Sequence, residues 1–409
     1  MRFAFCHRAV EGSPSLRPGF AAAALVLALG HTALGGPRID PGASVSLDVA
    51  GDSNVYNGRG ADAEVRLTPH IDLRLHDERN DLTLSYDLGL WWYLDGKADN
   101  SINHHGQLSY GLRVTPRLEL RVADEIVRAE DPGFLIRAGV VAPQTGITDN
   151  YVEGALDARL TRRLDLAIGY SYRLTRFDQL APPAAPLHSG DEHDATIALA
   201  YRAGRLDDLR FANRVQYLVV DGDGLAVTDG PSLGWRHQIL HALELRLEGG
   251  PLIYQSLIGP GTAPGADVTA VTWFGHGLLR FYSDSFQVAL TAVRDLISGT
   301  GTTDVLWADW LALQAGVRPI RELELRGSFG VFANGAAPSG DRQFDGFNID
   351  FVAEATVASW LRLGAFYSFR WQEAFGGAPL VDVTRHIAGV RLALRWGADA
   401  KPVGQEVNP

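Results

Sequence analysis

The chain has 409 residues, 46% apolar and 21% charged, with a formal net charge of −11. An acidic chain makes a poor partner for nucleic acid, where affinity rests on Lys and Arg meeting phosphates, and that class is set aside. Cys6 is the only cysteine, so no disulfide framework exists and stability must come from backbone pairing or buried apolar surface.

Arg2, Arg8 and Arg17 precede an apolar core from Phe20 to Leu29, and Ala33-Leu34-Gly35 supplies small residues at a cleavage position. This spelling predicts a secretory signal peptide over 1–35. Its core is too short to cross a bilayer as a helix, which takes about 20 residues. Cleavage removes Cys6, which lies on the wrong side of the apolar core for a lipoprotein anchor. A single β-barrel over 36–397 and a polar C-terminal tail over 398–409 are expected beyond the signal.

From the first strand onward, leucine recurs at every second position after short polar turns. Copies are Leu82-Thr83-Leu84, Leu118-Glu119-Leu120-Arg121-Val122, Leu164-Asp165-Leu166, Leu243-Glu244-Leu245-Arg246-Leu247, Leu323-Glu324-Leu325-Arg326 and Leu361-Arg362-Leu363. Side chains alternate across a strand, so Leu takes one face and charge the other. Connections alternate too. Tight ones fall at Asp77 to Asn80, Thr115 to Arg117, Thr161 to Arg163, His241-Ala242 and Ala358-Ser359. Long ones, rich in Gly, Pro, Asp and Asn, fall at Gly51 to Ala61, Glu130 to Thr148, Gln179 to Asp191, Ser256 to Ala266 and Asn334 to Asp341. Short turns on one side and long loops on the other mark outer-membrane barrels. A propeller would place four strands in a repeat of roughly 40 residues, where this chain has two.

The predicted fold is therefore all-β: a transmembrane, antiparallel, up-and-down β-barrel of about 18 strands, within a range of 16–20. Its first strand is placed at 43–50, its tenth at 226–240 and its last at 381–397. Trp360 and Trp396 fall at the short-turn end of their strands; Trp91, Trp92 and Trp371 fall at the long-loop end, as two interfacial girdles would require. Trp235 and Trp273 fit neither girdle.

With the Leu face toward lipid, the alternate positions line the lumen. These are Glu119 and Arg121, then Arg173, then Arg210 and Arg214, then Glu244, Arg246 and Glu248. Later strands add Glu324 and Arg326, Asp350 and Glu354, Arg362 and Arg370, and Arg391 and Arg395. A charge on the lipid side near the midplane costs about 2–4 kcal/mol, which enforces this sorting. A wall of both signs suits a hydrated, weakly selective path. A barrel of about 18 strands leaves an aqueous channel unless something fills it. No plug domain interrupts the run. Glu130 to Thr148, with Phe134-Leu135-Ile136 and Val140-Val141, is the segment expected to fold inward or pack on the rim.

Catalytic spellings are few: Gly230-Pro231-Ser232-Leu233-Gly234 has the Gly-x-Ser-x-Gly form but falls inside the strand placed at 226–240 and not on a strand-to-helix turn, and there is no His-Glu-x-x-His or phosphate-binding Gly loop. His104 and His105 would point to opposite faces and share no metal. Asp52-Ser53-Asn54-Val55-Tyr56-Asn57-Gly58 starts like a calcium loop, but Tyr56 stands where a ligand is needed and the Gly comes late. The chain is read as a non-enzyme, with no cofactor, metal or catalytic residue.

Asp52-Ser53-Asn54-Val55-Tyr56, then Leu67-Thr68-Pro69-His70-Ile71-Asp72-Leu73, then Asn80-Asp81-Leu82 through Tyr93-Leu94-Asp95 with Asn100, Asn103 and His104, resemble a β-barrel porin family of Gram-negative outer membranes. The resemblance covers Ser44 to Asp131 and is only architectural beyond. Members are associated with exopolysaccharide secretion. The resemblance implies a barrel set in outer-membrane lipid that passes an exopolysaccharide outward, with a periplasmic polysaccharide co-polymerase or export protein beneath it. The alternative is a passive porin for small hydrophilic solutes.

Overall fold

A computed structural model describes residues 38–55, 60–130, 146–178, 187–221, 224–256, 268–298, 305–337, 339–375 and 382–397. The expected signal peptide, the polar tail and the segment from Glu130 to Thr148 lie wholly or mostly outside the described residues. Eighteen strands form one sheet. They are β1 (Arg38–Asp52), β2 (Asp62–His76), β3 (Asn80–Tyr93), β4 (Ser101–Thr115), β5 (Leu118–Ala129) and β6 (Ile147–Arg159). Next come β7 (Leu164–Phe177), β8 (Gly190–Arg202), β9 (Asp207–Val220), β10 (Gly224–Leu240), β11 (Leu243–Ser256) and β12 (Val268–Tyr282). The last six are β13 (Phe286–Ile297), β14 (Leu306–Ile320), β15 (Leu323–Ala336), β16 (Arg342–Ala358), β17 (Leu361–Ala374) and β18 (Val383–Gly397). Each strand pairs antiparallel with the next, and β1 pairs with β18 from Gly42↔Gly397 to Asp52↔Ile387, closing the barrel. β1 begins earlier than the sequence suggested. β9 ends at Val220 and β10 begins at Gly224, so one connection on the long-loop side is short.

The inside of the barrel is fixed by contacts between strands that are not neighbours. Arg214 on β9 donates from Nη1 to Asp295 on β13 at 2.8–2.9 Å, which only a path across the interior permits. Counting alternately from these residues along the register assigns a face to every position. Leu47, Ile71, Leu84, Ile197, Phe211, Leu311 and Phe351 all point outward and are exposed; Leu233 and Val271 are 71% and 75% exposed. An apolar band encircling every strand exceeds any patch a soluble monomer carries. Hydrocarbon is the solvent that suits it.

Two polar rings bound the band. At the turn side, Trp360 and Trp396 are exposed, and Trp235 joins them, its Nε1 donating to Asp207 at 3.0 Å. Trp235 therefore belongs to a girdle after all. Trp91 does not: its parity is inward, and it is buried with Val55, Tyr93 and Ala98. Adjacent Trp91 and Trp92 cannot share a face of one strand. Toward the loop side, Tyr86, Tyr170 and Tyr367 stand equally far along β3, β7 and β17. Each hydroxyl is hydrogen-bonded to Nδ1 of an outward histidine on the next strand: His104 at 2.7 Å, His193 at 2.8 Å and His386 at 2.9 Å. Rings with an apolar body and polar tip settle where bilayer meets water.

The sidedness yields a mutational expectation. Ile168→Arg on the outward face of β7 should destabilise folding into vesicles by about 2–4 kcal/mol, whereas inward Ala167→Arg should cost well under about 1 kcal/mol. Denaturant titration of both variants checks this. The turn before β3 is held by Asp77, which accepts the backbone N–H groups of Arg79 and Asn80, each at 2.7 Å. The Arg79 N–H, then the Asn80 side chain and N–H, hold its carboxyl below the usual carboxylate range. The stability this contributes is complete above the ordinary aspartate range and fades as pH falls through the lowered value.

Candidate functional site: the barrel interior

The register turns all sixteen charged residues expected in the lumen inward, and most meet an opposite charge. Arg121 pairs with Asp157 and Arg210 with Glu248, while Arg246 pairs with Glu244 on its own strand. Arg173 lies 3.8 Å from Asp149, Arg370 2.8 Å from Asp350 and Arg391 2.7 Å from Asp48. Glu324 takes Arg318 and Arg326; Glu354 takes Arg326 at 3.2 Å and Arg362 at 3.1 Å. Glu119 opposes Asp157, and Arg395 opposes Ser44, both near the short-turn rim. Pairs within a strand, between neighbouring strands and across one strand thus cancel charge, and the wall carries little field of one sign.

Several inward groups fall outside the set expected from sequence. Arg385 donates to Asp52 Oδ2 from Nε at 2.9 Å and from Nη2 at 2.6 Å, and the pair is 3% and 0% exposed. This places Asp52 at the end of a strand, where the sequence reading had it opening a loop. Arg66 pairs with Glu64 and lies over the Trp91 ring at 4.0 Å. His70, Asp87, His105 and Glu125 form a chain of contacts at 2.7, 3.5 and 2.8 Å. His104 and His105 do face opposite ways, as the alternation required. Among the described residues no three His, Cys, Asp or Glu side chains converge on a metal position.

The interior differs from the expected open bore at its loop end. There the loop ends of β13 and β14 lean across the lumen. Ser298 donates its N–H to Glu192 Oε1, and its hydroxyl to the Asp191 carbonyl at 3.4 Å, on β8. Arg214 bridges Asp194 of β8 and Asp295 of β13. One face of these ends (Ile297, Leu306, Ala308) packs on Val127, Ile147, Phe177 and Leu187. Their other face (Leu296, Val305, Trp307) packs on Leu218, Leu252, Tyr254 and Phe274. Phe332 and Phe344 complete the first cluster. The lumen there is a packed apolar constriction above a wet, charge-paired bore. Inward apolar residues at the loop ends of β5 to β9 were the available sequence signal, one that a count of charges passes over.

Phe332 owes its place to Gly346, its register partner, because a Cβ there would fall within the Phe332 ring. Gly346→Val should displace the ring, cost about 1–3 kcal/mol and raise single-channel conductance. Planar-bilayer recording of the refolded variant checks this.

No family model and no curated protein matches the chain. Solved structures do. OccK2 (OpdF) of Pseudomonas aeruginosa in complex with glucuronate is 12% identical, over 89% of this chain and 100% of that one, with a TM-score of 0.46. OccAB2 of Acinetobacter baumannii is 10% identical, over 88% and 98%, with a TM-score of 0.46. The outer membrane protein opdK of Pseudomonas aeruginosa is 13% identical, over 87% and 99%, with a TM-score of 0.42. At identities and TM-scores this low, the likeness extends to neither solute nor mechanism.

Proposed function

We propose that this chain is a Gram-negative outer-membrane channel for small hydrophilic solutes of either charge. The observation that carries the reading is the inward ladder of neutralised Arg–carboxylate pairs beneath an apolar constriction, inside a barrel whose outer face carries an apolar band. The outer band accounts for the membrane, and strands of this length cross it with room for tilt. The paired wall wets the path without selecting strongly for anions or cations. The constriction favours small molecules over a polymer.

The purified protein should migrate anomalously in a detergent gel until heated, and should give small, weakly ion-selective conductance steps in planar bilayers. Equal mobility with and without heating would remove the barrel from the membrane; strong preference for one ion sign would contradict the neutralised wall. A second reading keeps the exopolysaccharide as cargo, with a periplasmic co-polymerase or export protein below the short-turn rim. The family resemblance favours it, since its residues build the contiguous wall from β1 to β5. A deletion strain with normal surface polymer would exclude that reading while leaving the solute channel untouched.

A further inference from the structure

The neutrality of the wall stops short of its turn-side rim. Three consecutive turns there carry Arg and no acid. They are Pro116-Arg117 between β4 and β5, Leu160-Thr161-Arg162-Arg163 between β6 and β7, and Ala203-Gly204-Arg205-Leu206 between β8 and β9. The rest of the rim is spelled otherwise. Asp77-Glu78-Arg79, Ser283-Asp284-Ser285 and Arg321-Glu322 each include an acid, and His241-Ala242 and Ser359-Trp360 include no Arg. Arg117, Arg162, Arg163 and Arg205 are exposed, and none of them forms an ion pair among the described residues.

Backbone pairing brings further arginines beside them. The Arg159 N–H donates to the Arg117 carbonyl at 2.8 Å, and the Arg202 N–H to the Arg163 carbonyl at 2.8 Å. Each bond carries its ladder one step further, beyond Leu118↔Ala158 and Leu164↔Tyr201. Arg117 thus lies beside Arg159, and Arg163 beside Arg202, all four of inward parity. The nearby carboxylates do not restore the balance. Glu119, Asp165 and Asp208 stand opposite Arg113, Arg159 and Arg202 within their own hairpins, the last two at 3.8 Å, and Asp208 also takes Arg236. The turn arginines are left over. Like charges set side by side across a sheet are destabilising, yet neighbouring hairpins repeat the arrangement in a chain of formal net charge −11. An anion held between the two guanidiniums reverses the sign of that effect. Arg forks take carboxylate or phosphate oxygens two at a time.

We propose that this arc, about 20 Å of rim at the usual strand spacing, captures small multivalent oxyanions at the turn-side mouth of the barrel. The assignment rests on the solute-channel reading above and names the solutes that gather at one end of it. Arg117 and Arg159 hold one anion, Arg163 and Arg202 a second, with Arg162 and Arg205 alongside. Inward parity turns both pairs toward the mouth and away from lipid headgroups. Charge of one sign clustered at a mouth raises the local concentration of its counter-ion and its rate of entry from that side. A monovalent ion touches one guanidinium and leaves, so the neutral wall still governs monovalent current. A multivalent anion bridges two and stays.

The test is calorimetric titration of the protein, purified in uncharged detergent, with inorganic triphosphate. Binding should saturate and should weaken as salt is raised. In Arg117→Gln/Arg163→Gln it should weaken at least about tenfold, the effect of losing one charge-assisted hydrogen bond or more. Arg79→Gln/Arg321→Gln removes the same charge from turns that include an acid, and should leave affinity nearly unchanged. In planar bilayers of phosphatidylcholine, triphosphate in one compartment should shift the reversal potential of a chloride gradient, and in the other should not. Arg117→Gln/Arg163→Gln should abolish that difference. Absence of saturable binding, equal losses in the two double variants, or equal shifts from both compartments would overturn the proposal. Should Arg117→Gln/Arg163→Gln fail to fold, Arg163→Gln decides by the same comparison against Arg321→Gln. Triphosphate binding without any conductance steps would instead sink the channel reading and leave the anion site standing.

Discussion

Arg214→Ala is expected to destabilise the barrel by about 3 kcal/mol and to raise its conductance at the same time. The guanidinium answers two carboxylates, Asp194 beside it and Asp295 across the lumen, and all three side chains are at most one-fifth exposed. Removing it leaves two carboxylates in a confined space with only His276, 3.4 Å from Asp295, to offset them, and breaking such an arrangement costs far more than an exposed ion pair returns. It also cuts a tie that holds the loop ends of β13 and β14 inside. Denaturant midpoints and single-channel records on one preparation read both effects. Adding Asp295→Asn to Arg214→Ala should restore part of the stability, because it removes one stranded charge, but should leave conductance high. Equal losses in the single and double variants would show that charge is not the reason.

Asp52→Ala should cost about 3–5 kcal/mol, the largest loss expected at the closing seam. Its carboxylate accepts from both Nε and Nη2 of Arg385 in a place water scarcely enters, and it also accepts the Asn54 N–H at 3.0 Å. Asp52→Asn keeps an acceptor oxygen and should lose less. The ordering Ala worse than Asn worse than Asp, followed by the temperature at which the fast gel band disappears, checks the assignment. A reversed order would mean that packing, and not the ion pair, holds β1 to β18.

The barrel was legible in the sequence because its rule is local. A period of two puts Leu118 and Glu119 on opposite faces whatever lies elsewhere, so fold, sidedness and the inward charges could be read residue by residue. Trp91 was misplaced by looking at position along the chain and neglecting that same period. Arg385 with Asp52, and Arg214 with Asp295, could not be foreseen as pairs, because each joins residues brought together only by closure or by a crossing of the lumen. The lean of the loop ends of β13 and β14 was hidden for a related reason. Their alternation suits the wall as well as the lumen, and the choice between them is made by side chains on β8 to β12, far away in sequence.

Closure through β1 and β18 has a consequence for how the molecule is made. Asp48 meets Arg391, Asp52 meets Arg385, and Asn54 reaches the Thr384 carbonyl at 3.0 Å, so the first strand has no second neighbour until residues 383–397 exist. Pairings of such long sequence separation form late and slowly. Every earlier stage of assembly carries an exposed edge at β1, with Val45, Leu47 and Val49 beside it. The polypeptide must therefore be escorted as a whole, from the ribosome to the membrane, before any of its strands can be safely committed.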